Sequence, residues 1–410
     1  MKAVQMSEGI YRVGANIKNG DMFEGMWPIP DGVSLNCYVV KGEKSALIDM
    51  VDDWNDAPGQ IREQLNSISM GIEDFDYLIL NHMEPDHIGW LQEFVVINPK
   101  VQILTTPKGV DLVRAFCGIT ENVKAVKSGD SLDLGGGKIL SFTEVPNVHW
   151  PETMVTYEPE SGILFSCDAF GSYGEVHEAI FDDELSQEQH DFYDKESLRY
   201  YANIIATFSI FVLKAIDKLA GLDIKMIAPS HGIVWRENPG VIVERYKQYA
   251  EFMNGSGLPE ITLVWGSMYG YTEKVVSSVV KGIRSESIPV HVHRVPEENA
   301  SWALANAWKS AGLVFGMPTY EYKMFPPIAG VVDVFEDKRV WNKKVFRFGS
   351  YGWSGGAQKD FLEKTKKLKW EFIEPLEWQG EADEEAHKIA FERGAELARM
   401  IKAQAIEDEE

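Results

Sequence analysis

One nine-residue segment constrains this chain more than any other: Asn81-His-Met-Glu-Pro-Asp-His-Ile-Gly89. It sets four metal-capable side chains, His82, Glu84, Asp86 and His87, within six residues. The segment follows the apolar, β-prone run Tyr77-Leu-Ile-Leu80, and Pro85 and Gly89 predict a loop rather than a helix. A solitary His-x-Glu is ordinarily solvated surface, but here three further strand ends carry the same chemistry. His149 closes the strand that opens at Ile139, Asp168 follows Ile163-Leu-Phe-Ser-Cys167, and His231 follows Met226-Ile-Ala-Pro-Ser230. Parallel and mixed sheets place their sites at such ends. Four imidazoles and three carboxylates exceed what one zinc takes, since three or four protein ligands suffice for it. The set predicts two metal ions, bridged by Asp168, because a carboxylate can offer one oxygen to each.

The chain has one strong seam. Ala250 to Pro259 is rich in small residues with Gly and Pro, and it follows an amphipathic run from Val241 to Phe252. It predicts domains at 1–254 and 260–410. The first half reads as short strands at 37–40, 46–48, 77–80, 102–104, 139–142, 163–165 and 226–228, with helical patterns at 57–68, 107–116 and 196–219. In the second half, strands at 261–265, 289–295, 312–315 and 344–348 alternate with helices near 272–284, 301–310, 326–336 and 357–368. Such alternation predicts a doubly wound parallel sheet.

Three loops on that predicted sheet share one edge. After strand 261–265 comes Gly266 and then Ser267, Met268, Tyr269, Gly270, Tyr271 and Thr272, a hydroxyl- and glycine-rich turn that opens a helix. A turn of that kind offers backbone N–H groups and a positive helix end to a phosphate. It lacks the lysine-bearing pattern of a nucleoside triphosphate site. The second loop carries Pro318, Thr319, Tyr320 and Glu321; the third carries Ser350, Tyr351, Gly352, Trp353, Ser354 and Gly355. One loop for a phosphate and two with aromatic residues able to stack on an isoalloxazine ring predict a flavodoxin-like FMN site. Plain packing remains the ordinary use of Tyr320 or Trp353 taken singly.

Composition narrows the partners. The net charge of −23 gains nothing from counterion release, so no nucleic acid is expected, and anionic membrane surfaces are equally disfavoured. The three cysteines, Cys37, Cys117 and Cys167, show no C-x-x-C spacing, which predicts neither a disulfide framework nor a rubredoxin-type iron site. The uncharged stretch from Tyr200 to Leu213 is shorter than the roughly 20 residues of a spanning helix, and Met1 to Gly9 lacks a signal-peptide core. A cytoplasmic protein is expected. His291 and His293 alternate on one strand face and carry no expectation of a second metal site.

The first half resembles the metallo-β-lactamase superfamily, whose usual loop is H-x-H-x-D-H; Glu84 stands here where the hydrolases carry a second His. That substitution makes the ligand set harder and shifts the preference toward iron, although zinc also accepts carboxylates. Joined to a flavodoxin-like half, the chain resembles the flavodiiron proteins, or A-type flavoproteins, along essentially its whole length. H-x-E-x-D-H at 82–87, His149-Trp-Pro151, Asp168 and His231 carry the resemblance. It implies an N-terminal αββα sandwich, and a diiron centre with His82, Glu84 and His149 on one iron, Asp86, His87 and His231 on the other, and Asp168 between them. It also implies FMN in the three loops, and reduction of O2 to water, of NO to N2O, or of both. The expected donor is rubredoxin or the reduced deazaflavin F420, the expected assembly a head-to-tail homodimer or homotetramer, and the expected type the minimal two-domain class. The rival reading is a dizinc hydrolase with a regulatory flavodoxin. Many members carry a histidine where Glu24 stands, and the pair Tyr200-Tyr201 resembles a family segment that can place a tyrosine near the metals, with Tyr201 the candidate and simple helix packing the alternative reading.

Overall fold

The computed structural model describes residues 2–18, 20–255 and 257–409; Ser256 of the seam, Glu410 of the acidic end, Met1 and Asn19 lie outside the described residues. The chain divides into two compact units, Met1–Lys247 and Gln248–Glu410.

The first unit is built on two sheets. Seven strands run in the order Val4–Ser7, Ile10–Ile17, Val33–Lys41, Ser45–Ile48, Tyr77–Ile79, Gln102–Thr105 and Val123–Ala125. The first four pair antiparallel and the rest parallel. The second sheet orders Ser131–Asp133, Ile139–Glu144, Met154–Glu158, Ile163–Cys167 and Met226–Pro229, and only its last pair is parallel. The inner faces meet at Tyr38 and Phe165, whose rings lie 5.0 Å apart, and Tyr38 Oη donates to Pro229 O across 2.6 Å. Val33–Lys41 and Ile163–Cys167 are buried almost throughout, as strands covered on both faces must be. This is the expected sandwich fold, with sites at the carboxyl ends of its parallel strands.

Three local expectations are corrected. Pro85–Ile88 forms a single helical turn rather than open loop, because proline at a first helical position gives up only an N–H that has no helical partner anyway. His149 does not close a strand. The strand ends at Glu144, and His149 sits in the connection to Met154–Glu158. The run read as one helix from 196 to 219 is instead Gln187–Tyr200, a π-turn at Tyr201–Ile205, a short 3₁₀ turn and a second helix at Ser209–Leu219.

The second unit holds a parallel sheet in the order Val290–Arg294, Leu258–Trp265, Ser310–Gly316, Lys344–Tyr351 and Glu371–Phe372, with Leu376–Gln379 also paired to Lys344–Tyr351. The second strand in sequence therefore lies outside the first, and order reverses between Leu258–Trp265 and Ser310–Gly316, the switch point where such sheets bind ligands. Helix Glu273–Ser285 buries Val275, Val279 and Ile283, spaced four apart, as one apolar stripe. The acidic end at 407–409 continues a long helix, Glu384–Glu409, which packs on Glu273–Ser285.

Candidate metal centre and flavin loops

The parallel pair Ile163–Cys167 and Met226–Pro229 sets Asp168 and His231 side by side at one sheet edge, with Cys167 in register with Pro229. The other sheet delivers the segment after Tyr77–Ile79 to the same place. Asn81 joins the two sheets. Its backbone N–H and its Nδ2 donate to Asp49 at 2.8 and 3.0 Å, while its Oδ1 accepts from Thr156 Oγ1 at 2.8 Å.

All seven expected residues come together, in two groups. One ligand atom from each of His82, Glu84, His149 and Asp168 lies within 4.8 Å of the others, and the same holds for Asp86, His87 and His231. Asp168 faces both groups: Oδ2 lies 3.4 Å from His82 Nε2 and 3.2 Å from His149 Nε2, while Oδ1 lies 2.9 Å from His87 Nε2 and 3.3 Å from His231 Nε2. Yet both Asp168 oxygens, both Asp86 oxygens and the Nε2 atoms of His87 and His231 are buried and make no aligned hydrogen bond. The atoms converge on shared points rather than on one another. With metal–ligand bonds of about 2.1 Å, neighbouring ligand atoms around one ion lie about 3 Å apart, so the spacing fits metal ions.

The outer contacts aim the imidazoles. Glu152 Oε1 sits 2.8 Å from His82 Nδ1 and also accepts from Met83 N, and Ser34 O lies 2.9 Å from His231 Nδ1. In each ring Nδ1 is occupied and Nε2 is left facing inward. Burial opposes protonation of His149, but Asp168 and Glu84 outweigh it and hold its pKa up at about 9. His231 is likewise held at about 10 by Asp168 and Asp86 against burial. So negative a field in a buried site favours cations.

Glu84 and Asp86, both 12% exposed, form the open side of the centre. A mouth of about 360 Å³ lies over them, lined also by Phe23, Glu24 and Asp52. Glu24 is exposed at that mouth and accepts from Trp27 Nε1 at 3.0 Å. The tyrosine beside the metal-ligand side chains is Tyr200, not Tyr201. The Tyr200 ring lies 5.6 Å from His231, and its buried hydroxyl makes no hydrogen bond. Tyr201 instead bonds Ser209 Oγ at 2.8 Å and packs on Tyr246. Burial, reinforced by the charge of Asp168, keeps the Tyr200 phenol protonated. Sequence reasoning missed Glu152, Asn36, Asn81 and Asp49. The one usable signal was a polar residue inside an apolar strand, as Asn36 is in Val33–Lys41.

In the second unit, register aligns Trp265, Gly316 and Phe348, so the three glycine-rich loops leave the sheet from one edge. Ser267 Oγ accepts from Gly270 N at 3.0 Å, and Thr272 Oγ1 lies 3.3 Å from Ser350 Oγ. The N–H groups of Met268, Tyr269 and Tyr271 donate to no described protein acceptor, which leaves them for an anion at the start of helix Glu273–Ser285. Gly349 must lack a side chain, because a Cβ there would lie 1.7 Å from Met317 O. Met317 and Pro318 are buried, Thr319 and Tyr351 half-buried, and Tyr320 and Glu321 exposed. Trp353 is 80% exposed and Tyr269 86%, beside Gly352, Ser354 and Gly355 at the loop tips. Large aromatic faces held in solvent beside a phosphate cradle fit a bound flavin ring.

Residues 33–232 match the family described as ODP family beta lactamase, and residues 263–394 match Flavodoxin. The chain is 35% identical over 374 residues to the anaerobic nitric oxide reductase flavorubredoxin of Escherichia coli strain K12, covering 90% of this chain and 76% of that one. The chain belongs to the flavodiiron protein family. Its structure superposes on the rubredoxin oxygen:oxidoreductase of Desulfovibrio gigas with a TM-score of 0.91 at 26% identity, over 98% of this chain and 100% of that one. A flavo di-iron protein of Thermotoga maritima gives 0.85 at 28% identity, over 97% and 98%. Membership makes the chain an oxidoreductase that carries FMN and a non-haem diiron centre. Among the described residues no helix is long and apolar enough to cross a membrane.

Proposed function

We propose that this flavodiiron protein reduces NO to N2O, and O2 to water, with the seven side chains around Asp168 as iron ligands and the loops at 267–272, 318–321 and 350–355 as the FMN site. The observation that carries the reading is Asp168, whose two oxygens each face a separate group of ligand atoms. The relatives' names point the same way, toward nitric oxide and oxygen rather than a hydrolysed bond. When bound, the irons and the flavin supply the electrons, two for two NO and four for one O2, and stabilise negative charge developing on oxygen.

The chain's own residues do the rest. Glu152 and Ser34 O hold His82 and His231 in the tautomer that leaves Nε2 inward. Glu84 and Asp86 border the mouth through which a gas reaches the centre. Phe23 packs edge to face on His231 and Tyr200 packs tilted against it, with Tyr173 behind both, and together they keep water off that side. The Tyr200 hydroxyl, buried, unbonded and held protonated, is an O–H at this wall able to donate a hydrogen bond. The acidic groups at the mouth leave a small uncharged gas unhindered.

We take the donor to be a rubredoxin, as the relatives' names suggest, with reduced F420 as the alternative, and the working unit to be a head-to-tail homodimer or homotetramer. The test is anaerobic mixing of the fully reduced protein with NO and, separately, with O2. One N2O for every two NO, with flavin reoxidation in step, is the expected result. NO bound without N2O would remove the nitric oxide reading, and no consumption of either gas would remove both. Supplying reduced rubredoxin or reduced F420 in turnover identifies the donor. Dilution to a proven monomer with full activity would contradict the dimer.

A further inference from the structure

Arg12 belongs to neither set of cofactor residues. It lies on strand Ile10–Ile17, is 1% exposed, and forms no ion pair among the described residues. Its Nε and Nη2 both donate to a single oxygen, Asn36 Oδ1, at 3.1 and 2.6 Å. A guanidinium has five N–H donors, so three are left. The ionisable groups nearest in effect, Tyr38, Cys37 and Tyr193, are neutral at ordinary pH. Room for this arrangement is built in. A Cβ at Gly14 would sit 2.7 Å from Arg12 Nη2 and 2.8 Å from Cζ.

A buried guanidinium without an anion is costly unless a ligand completes it. Arg12 forms part of the wall of a cavity of about 1340 Å³, larger than most ligand pockets. Phe192 and Tyr193, from helix Gln187–Tyr200, give the cavity an apolar side, and Asp31, Glu175 and Glu178 give it an acidic one. His177 sits 3.2 Å from Glu175 Oε2 and is 70% exposed, and Lys2, Asp31 and Glu178 are exposed as well, so Glu175 is the acid set deepest on that side and three carboxylates face two exposed cationic or titratable side chains. A simple anion reaching Arg12 would meet three carboxylates. A molecule with an anion at one end and a cation at the other satisfies both walls.

We propose that this cavity binds a small aminocarboxylate, its carboxylate on Arg12 and its ammonium among Asp31, Glu175 and Glu178, with its methylene chain along Phe192 and Tyr193. The arrangement also reaches the metal centre's scaffold. Asn36, which Arg12 holds, donates through Nδ2 to Pro229 O and Gly232 O at 2.9 Å each, on either side of Ser230 and His231.

The test is titration calorimetry on the full-length holoprotein with γ-aminobutyrate, acetate and butylamine as probes. The aminocarboxylate should bind at least about tenfold more tightly than either half-molecule, because each half leaves one wall unmatched. Arg12→Met should weaken it at least about 30-fold. Glu175→Gln, at the more exposed wall, should weaken it about threefold and acetate not at all. Iron and FMN contents equal to the parent's show that each variant is folded; should Arg12→Met fail there, Glu175→Gln decides. Absence of binding by γ-aminobutyrate up to about 10 mM would overturn the proposal. So would acetate binding as tightly as γ-aminobutyrate, or a Glu175→Gln protein that binds γ-aminobutyrate unchanged.

Discussion

At the scale of single residues the centre depends on direction as much as on identity. Asp168 is the only side chain whose two oxygens face both ligand groups, among the described residues. Asp168→Ala should lower iron below about one per chain and gas reduction at least about 100-fold, with FMN retained. Metal analysis and flavin absorbance check it, and normal turnover in this variant removes the bridge assignment. Glu152 is not among the converging ligand atoms, yet it orients His82 through Nδ1. Glu152→Gln should weaken iron binding about 10- to 100-fold in a chelator competition, while an unchanged affinity would make Glu152 a mere packing residue. The imidazoles also fix a pH dependence. In the metal-free protein the pKa values of His149 and His231 are raised, to about 9 and about 10, so both are protonated at neutral pH. Iron must displace those protons, so its affinity should rise with pH until that range is passed. Proton release into a weakly buffered indicator solution on anaerobic iron addition measures this, and no release would contradict it.

Elements explain which parts of the site could be read in advance. The loop at 82–87 was legible because its four ligand types lie within six residues, a spacing visible in any one sequence. The strands Val4–Ser7, Ile10–Ile17, Val123–Ala125, Ser131–Asp133 and Met154–Glu158 were not, because polar and charged residues interrupt their apolar runs. In Ile10–Ile17 those residues are Arg12 and Asn16, both buried, and burial of a polar group is decided by partners far along the chain. Tyr200 and Tyr201 could not be told apart, because neighbouring residues on a helix point about 100° apart and the π-turn after Tyr200 sets the phase. The flavin loops were legible as glycine-rich turns after strands. Ser267→Glu places a carboxylate at the phosphate turn and should cut FMN content at least about tenfold while iron stays bound. A fully flavin-loaded variant would show that the phosphate lies elsewhere.

For the whole molecule, two units with separate cores carry separate liabilities. In the second unit Lys343 is 1% exposed and donates to Trp308 O at 3.0 Å. Burial pulls its pKa down to about 7 from an ordinary 10.5, with Glu260 only partly opposing. Between those values the unfolded chain holds a proton that the folded one does not, so this group makes stability rise with pH, by at most about 1.4 kcal/mol per pH unit. Below about pH 7 both states are protonated and the folded state keeps a buried charge. Lys343→Met should therefore be more stable than the parent at neutral pH, with the difference shrinking toward pH 10 in denaturant titrations. A pH-independent difference would contradict the linkage.

The central claim, that the buried ligand set holds two irons fed by a flavin, is tested most directly by elemental analysis. The protein should be produced with ample iron, purified without oxygen, and assayed for iron, zinc and FMN on the same sample. The account predicts about two irons and one FMN per chain, with zinc a trace. About two zincs that persist under iron supplementation would contradict it and return the first unit to metal-hydroxide hydrolysis, with Glu84 the residue to explain.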